Sequence, residues 1–386
     1  MDNKKQYKIA LVLYTQGLDY DDRIRKEILS ITKLYSNISF KIFAVDPSNR
    51  EEEGITSYGV PYKILYLKSR KKYASASHKL AKAWNFFKLI KKDLNDFDAI
   101  WCADIETLLF VLFNKNKPLA WDLHELPTCF MGKKIMRVFF KYLAQRCTVM
   151  IHANEQRLIC LRELNMIPEG SKQFYLRNYP QFDEIDSDYD DDFLKFEKWL
   201  GPDQCVYLQG LNEPSRAPFE SISAVLKSPN LKCVVVGRVD KDAVARLNEV
   251  FGANTVRSRV YFTGMVKQLK TPQYIRKCFV SLVFYKNTCL NNWYCEANRF
   301  YQNIINGNPV ITGANPPMKN IIEKFGFGIS LQSDGSDELE IIEAIRRIRE
   351  DYNLYKNMID KNKDLLFWNS QNETLSKIIF NLLYEV

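Results

Sequence analysis

The chain has 386 residues and a formal net charge of +9, with 46% apolar and 26% charged residues. That balance excludes a disordered or collagen-like chain, and the length suits two hydrophobic cores better than one. The basic excess alone does not choose among nucleic acid, a membrane surface and an anionic substrate.

The chain opens with Lys4-Lys5 and an apolar run, Ile9 to Tyr14, soon followed by Asp19, Asp21 and Asp22. A signal peptide needs a longer apolar region and a small-residue cleavage site, so the run reads as a buried first strand and the protein as cytoplasmic. No segment approaches the roughly 20 apolar residues of a membrane span. The nine cysteines include no Cys-x-x-Cys pair and read as reduced core thiols.

Short apolar runs then alternate with helical patterns. Strands are expected at 8–14, 40–45, 62–66, 99–102, 120–122 and 149–153, with helices at 23–34, 79–94 and 132–145 between them. Within the basic tract Lys68–Lys92, residues Leu80, Ala83, Trp84, Phe87 and Ile90 have core spacing on one helix face. From Glu184 to Glu197 seven acidic residues face only Lys195, which reads as an interdomain connection with room for one helix. The alternation restarts with strands at 205–209, 231–237, 260–263, 278–285, 309–312 and 328–331. Helices are expected at 218–227, 241–251, 299–305 and 318–325, and two or three more from Asp337 onward. The pattern predicts an α/β chain with two doubly wound parallel sheets.

Open parallel sheets bind ligands beyond the carboxyl ends of their strands. Four loops therefore draw attention. In the first, Gly17 allows close backbone approach and Asp22 suits a helix cap. In the second, His124 and Glu125 directly follow a strand, where an imidazole can exchange hydrogen bonds near neutral pH. In the third, Arg216 stands at a helix entrance, where a cation fits best with an anion beside it. In the fourth, Asn298 has the character of an N-cap, Arg299 adds charge to the helix start, and Gln302 lies one turn on.

Six segments resemble, in the same order, those of GT-B glycosyltransferases of the retaining, bacterial polysaccharide type. They are Asp22-Arg23-Ile24-Arg25-Lys26-Glu27, Trp101-Cys102-Ala103-Asp104-Ile105-Glu106, Trp121-Asp122-Leu123-His124-Glu125-Leu126, Leu176-Arg177-Asn178-Tyr179-Pro180, Asn298 through Ile311, and Phe367-Trp368-Asn369-Ser370-Gln371. The likeness covers nearly the whole chain. It implies two Rossmann-like domains facing a cleft: residues 1–180 on the acceptor side, a linker at 181–202, and a nucleotide-sugar domain at 203–366. A terminal helix within 367–386 would cross back to the first domain.

The resemblance further implies a nucleotide diphosphate-sugar donor, no bound metal or other cofactor, and transfer with retained anomeric configuration. The acceptor would be a glycan or an undecaprenyl-diphosphate-linked glycan, in capsule or O-antigen synthesis. Arg216 and Arg299 would neutralise the diphosphate, His124 would contact the donor sugar, and Glu296 and Asn298 would lie near that sugar. Gly264 and Val266 would face the base, and Gly17 would approach the donor. Many relatives carry two glutamates eight positions apart, where this chain has Tyr294 and Gln302. Asp22, Glu125, Arg70 and Lys71 are expected on the acceptor side, and by its charge the basic loop Lys68–Lys72 suits contact with anionic lipid or with a lipid-diphosphate acceptor. Two other functions share these features: a non-hydrolysing nucleotide-sugar epimerase, and a non-catalytic nucleotide- or polyanion-binding protein. No nucleic-acid motif accompanies the basic tract.

Overall fold

The computed structural model describes residues 5–68, 79–114, 117–181 and 191–385. The chain forms two compact units, Met1–Arg177 with Gln371–Val386, and Asn178–Ser370.

The first unit is built on β1 (Tyr7–Tyr14), whose residues 9–13 are all buried. Such an unbroken apolar run suits a central strand covered on both faces. Around it lie β2 (Ile38–Val45), β3 (Glu52–Ile55), β4 (Pro61–Ile64), β5 (Ala99–Ala103), β6 (Leu119–Leu123), β7 (Val149–His152) and β8 (Gln173–Tyr175). The sheet order is β3-β4-β2-β1-β5-β6-β7-β8. Only the β3–β4 pairing is antiparallel among the described strands. The terminal helix Asn372–Leu383 packs on the helix Asp22–Leu34. Gln371 anchors it, accepting from Arg177 N at 2.6 Å and donating to Arg177 O at 2.7 Å.

The helix Lys79–Ile90 buries Ala83, Phe86 and Ile90, with Phe86 edge-on to Tyr14 and Phe110. This corrects the face predicted from spacing, because Trp84 is 42% exposed and Phe87 only half-buried. The basic segment holding Arg70 and Lys71 lies outside the described residues.

The second unit carries a parallel sheet of β9 (Gln204–Leu211), β10 (Leu231–Val239), β11 (Val260–Gly264), β12 (Val280–Val283), β13 (Val310–Thr312) and β14 (Gly328–Ser330). Its order is β11-β10-β9-β12-β13-β14, with β9 and β12 central. Helices Pro218–Lys227 and Lys241–Phe251 cross between its strands, and Glu338–Glu350 closes the same core. The acidic stretch read as a connection ends in a helix, Asp191–Leu200. Phe193, Phe196 and Leu200 pack with Tyr207, Val234 and Tyr274, so this part is core of the second unit and not a linker. Asp191 and Asp192 of this helix are exposed and Glu197 half-exposed, so charge masks the apolar spacing of its buried face.

Candidate functional site

A cavity of about 750 Å³ opens at the carboxyl ends of β9 and β10 in the second unit. That volume suits a small ligand or cofactor. Its floor is made by two glycines. Gly210 has φ +63° and Gly237 φ +91°, conformations that side chains resist. A Cβ on Gly210 would come within 3.0 Å of Arg216 Nη1 and 3.6 Å of Arg299 Nη1. Glycine therefore stands next to the last position of β9, where two guanidinium groups leave no room for a side chain.

Arg299 is buried and held by backbone carbonyls. Nη2 donates to Phe284 O at 3.1 Å, and Nη1 donates to Gln209 O. Arg216 Nη1 donates to Gly210 O at 2.8 Å. Both guanidinium groups lie near the Tyr285 ring, at 4.9 Å for Arg299 and 5.6 Å for Arg216. Each retains a buried Nε–H without a hydrogen-bond partner. Burial, aided by the like charge of Arg216, pushes the Arg299 pKa down from its ordinary value. Among the described residues no carboxylate is within ion-pair distance of either guanidinium, since Glu220 pairs with Lys286 at 2.7 Å instead. Two adjacent cations without a counter-ion are costly unless an anion completes the site.

The helix Asn298–Ile305 begins at the cavity wall. Its N-cap is Ala297 and no side chain caps it, which corrects the assignment of that role to Asn298. Asn298 is the first helical residue, and its Oδ1 accepts from Asn178 Nδ2 at 2.8 Å. The uncapped helix start leaves first-turn N–H groups able to receive an anion. Glu296, Asn298, Arg299 and Gln302 all line the cavity. Met265 and Val266 line its apolar side, while Gly264, at φ +67°, makes the turn without reaching it. Arg216 stands behind the floor, touching it through Gly210.

The first unit holds a second charged cluster, in which Arg23, Glu27 and Asp122 are buried and His124 and Asp104 are partly exposed. His124 lies between two carboxylates, with Nε2 at 2.9 Å from Asp122 and Nδ1 at 3.1 Å from Asp104. Arg23 grips the same Asp122 through Nε at 3.1 Å and Nη2 at 2.8 Å. Arg23 Nε also lies 3.0 Å from Glu27 Oε1, but too poorly aligned for a hydrogen bond. Burial opposes a charged imidazole, yet Asp104 and Asp122 outweigh it and raise the His124 pKa well above normal. Burial likewise opposes the Asp122 carboxylate, but Arg23 and His124 hold its pKa well below normal. Burial and the Asp122 charge push the Glu27 pKa well up, favouring its neutral form. Thus both His124 nitrogens are engaged within the first unit.

Near that cluster, Asp21 and not Asp22 caps the helix Asp22–Leu34, accepting from Ile24 N. Asp22 is committed to Arg25 and Lys26, each at 2.7 Å. Gly17 belongs to the same turn and its N–H donates to Thr15 Oγ1 at 3.1 Å. Glu125 is exposed. Sequence reasoning passed over Tyr285 and Arg238 at the cavity, and the carboxylates around His124. The signal for Asp104 and Asp122 was their place at the ends of neighbouring buried strands, β5 and β6.

No family model and no curated protein matches the chain. Its structure is similar to sucrose-phosphate synthase from Thermosynechococcus elongatus, at TM-score 0.76 and 14% identity over 99% of this chain and 100% of that one. It is also similar to HepE from Anabaena in complex with UDP, at TM-score 0.71 and 14% identity over 96% and 98%. A third is the trehalose 6-phosphate synthase from Burkholderia multivorans, at TM-score 0.67 and 11% identity over 97% and 98%. The chain has the fold of these proteins, the two-unit α/β architecture called GT-B.

Proposed function

We propose that the protein is a glycosyltransferase that takes its sugar from a nucleotide diphosphate-sugar. The observation that carries this reading is the pair Arg216 and Arg299. They are two cations with unpartnered Nε–H groups around one strand end, beside an uncapped helix start. A diphosphate is the anion this geometry suits. Its developing charge, as the sugar departs, would be met by fixed cations and backbone N–H groups already in place. Gln302, one helical turn from Arg299, offers a carbonyl acceptor to a ribose hydroxyl. Met265 and Val266, in the cavity lining, would face the base, and Glu296, also in the lining, would lie near the sugar. HepE, of the same fold, has been solved with UDP and with UDP-glucose, in keeping with this reading.

The finer reading follows the sequence resemblance. The sugar is passed with retention, without a metal, to a glycan or a lipid-diphosphate-linked glycan in bacterial surface-polysaccharide synthesis, at the inner face of the membrane. Thermal denaturation with UDP or GDP tests the site. A nucleoside diphosphate at 100 times its Kd stabilises the folded state by about 2.7 kcal/mol, and Arg299→Ala removes the shift. If neither nucleotide raises the melting temperature of the wild-type protein, the reading fails. Incubating a donor sugar nucleotide without acceptor separates the enzyme classes, because an epimerase would yield an isomeric sugar nucleotide.

A further inference from the structure

We propose that the first unit docks on anionic lipid membranes through the outer face of the helix Lys134–Ala144 and the aromatic ridge beside it. A helix packed on a sheet normally buries one face and turns polar residues outward. This one buries Phe140, Leu143 and Ala144, yet its outward residues are also apolar. Ile135 is 74% exposed, Val138 60%, Phe139 36% and Tyr142 46%. Their spacing puts all four on one stripe. Isolated exposed apolar residues need no explanation, but a contiguous stripe does.

The stripe continues onto neighbouring elements. Arg146 links Tyr142, at 3.3 Å from its hydroxyl, to the backbone of Asn114, whose O accepts at 2.5 Å. Next to Asn114, the exposed Phe113 ring meets the exposed Trp84 ring at 5.5 Å. The result is one surface of aliphatic and aromatic side chains crossing from the helix to Trp84.

Charge selects the occupant. Between Glu125 and Glu155 the chain has five cations, Lys133, Lys134, Arg137, Lys141 and Arg146, and no acidic residue. Lys88 sits over the Trp84 ring at 5.3 Å and extends the basic rim. Apolar and aromatic residues bordered by lysine and arginine are the composition of a helix lying in the plane of an anionic bilayer. The helix is about 16 Å long, which suits lying on the surface and not crossing it. Among the described residues no helix is long and apolar enough to span a membrane. This inference rests on the lipid-linked acceptor reading for its purpose, but its test does not require turnover.

The test is sedimentation with vesicles of phosphatidylglycerol and phosphatidylcholine, against vesicles of phosphatidylcholine alone. The wild-type protein should partition to the anionic vesicles at least about tenfold better, the advantage shrinking with salt. Ile135→Glu combined with Val138→Glu should remove that partitioning about tenfold or more. Both side chains are mostly exposed, and an unchanged melting temperature would show that the fold is kept. Leu339→Glu, equally exposed on the second unit, should leave partitioning unchanged. Wild-type protein that stays in the supernatant at low salt would overturn the proposal. So would a double variant that binds as wild type, or a wild-type dimer that the double variant dissociates. A nucleotide-dependent melting shift read on the same samples keeps this outcome separate from the fate of the glycosyltransferase reading.

Discussion

The two units treat buried and half-buried charge in opposite ways. In the first, Arg23, Asp104, Asp122 and His124 satisfy one another within hydrogen-bond distance. In the second, Arg216 and Arg299 lie together with carbonyls and an aromatic ring, and two of their N–H groups remain unpartnered. Both clusters stand at the carboxyl ends of parallel strands, where ligands bind in this architecture. Position alone therefore does not separate a binding site from a structural network. Charge pairing does: a set whose cations all have carboxylate partners is closed and stabilises, even though Glu27 beside it keeps two buried oxygens without a hydrogen bond, while two cations with no carboxylate form an open site that suits an anionic ligand.

That contrast predicts the largest effect at the open site. Arg216→Ala should lower kcat/KM by about 10²–10³, the usual loss when a preorganised charge donor is removed. Stability should change little, because the Arg216 side chain makes a single described hydrogen bond, to Gly210 O. Steady-state kinetics alongside thermal denaturation gives both readings. Turnover near wild type would place the diphosphate elsewhere.

The closed site should answer with stability. Asp122→Ala leaves the buried Arg23 without its bidentate partner and removes one of the two carboxylates beside His124. Breaking a buried pair from one side costs about 3–5 kcal/mol. Urea denaturation should show that loss, whereas a loss below about 1 kcal/mol would mean the network is not the stabilising element described.

The histidines sharpen the same distinction through pH. The folded-state pKa of His124 is raised, so its stabilisation is fully present below the unfolded value near 6.5. It is lost as pH rises through the folded value. His152 is opposite, pushed down to about 4 by burial, despite its contact with Gln173 at 2.7 Å. Its contribution is complete above 6.5 and is lost as pH falls toward 4. His124→Gln should flatten the alkaline limb of the stability profile and leave the acid limb in place. An unchanged alkaline limb would mean that His124 is not held as an imidazolium.

Much of the fold was legible because burial writes itself into runs and periods. Helices Pro218–Lys227 and Lys241–Phe251 stand where their spacing placed them. The failures have physical causes. Leu108–Phe113 is apolar at every position and so has no period to read. Glu52–Ile55 is an edge strand with no buried residue, so its sequence carries no core signal. The run from Cys278 to Tyr285 extends past β12, because the loop that follows carries Phe284 and Tyr285 to the arginines. At the sites, strand-end residues were visible one by one. The caging of His124 was not, because Arg23 and Asp122 are 99 residues apart and only folding joins them.

The smallest expected effect lies at Gln302, where relatives of the resembled family carry glutamate. Gln302 lines the cavity one turn beyond Arg299. A neutral amide accepts from a ribose hydroxyl more weakly than a carboxylate does. Gln302→Glu should therefore lower the donor KM by a few-fold, roughly 1 kcal/mol, with kcat nearly unchanged. Gln302→Ala should raise KM by a similar factor. A change confined to kcat would instead place residue 302 beside the reacting sugar. A change in neither would remove it from the donor site and leave the two arginines as the basis of recognition.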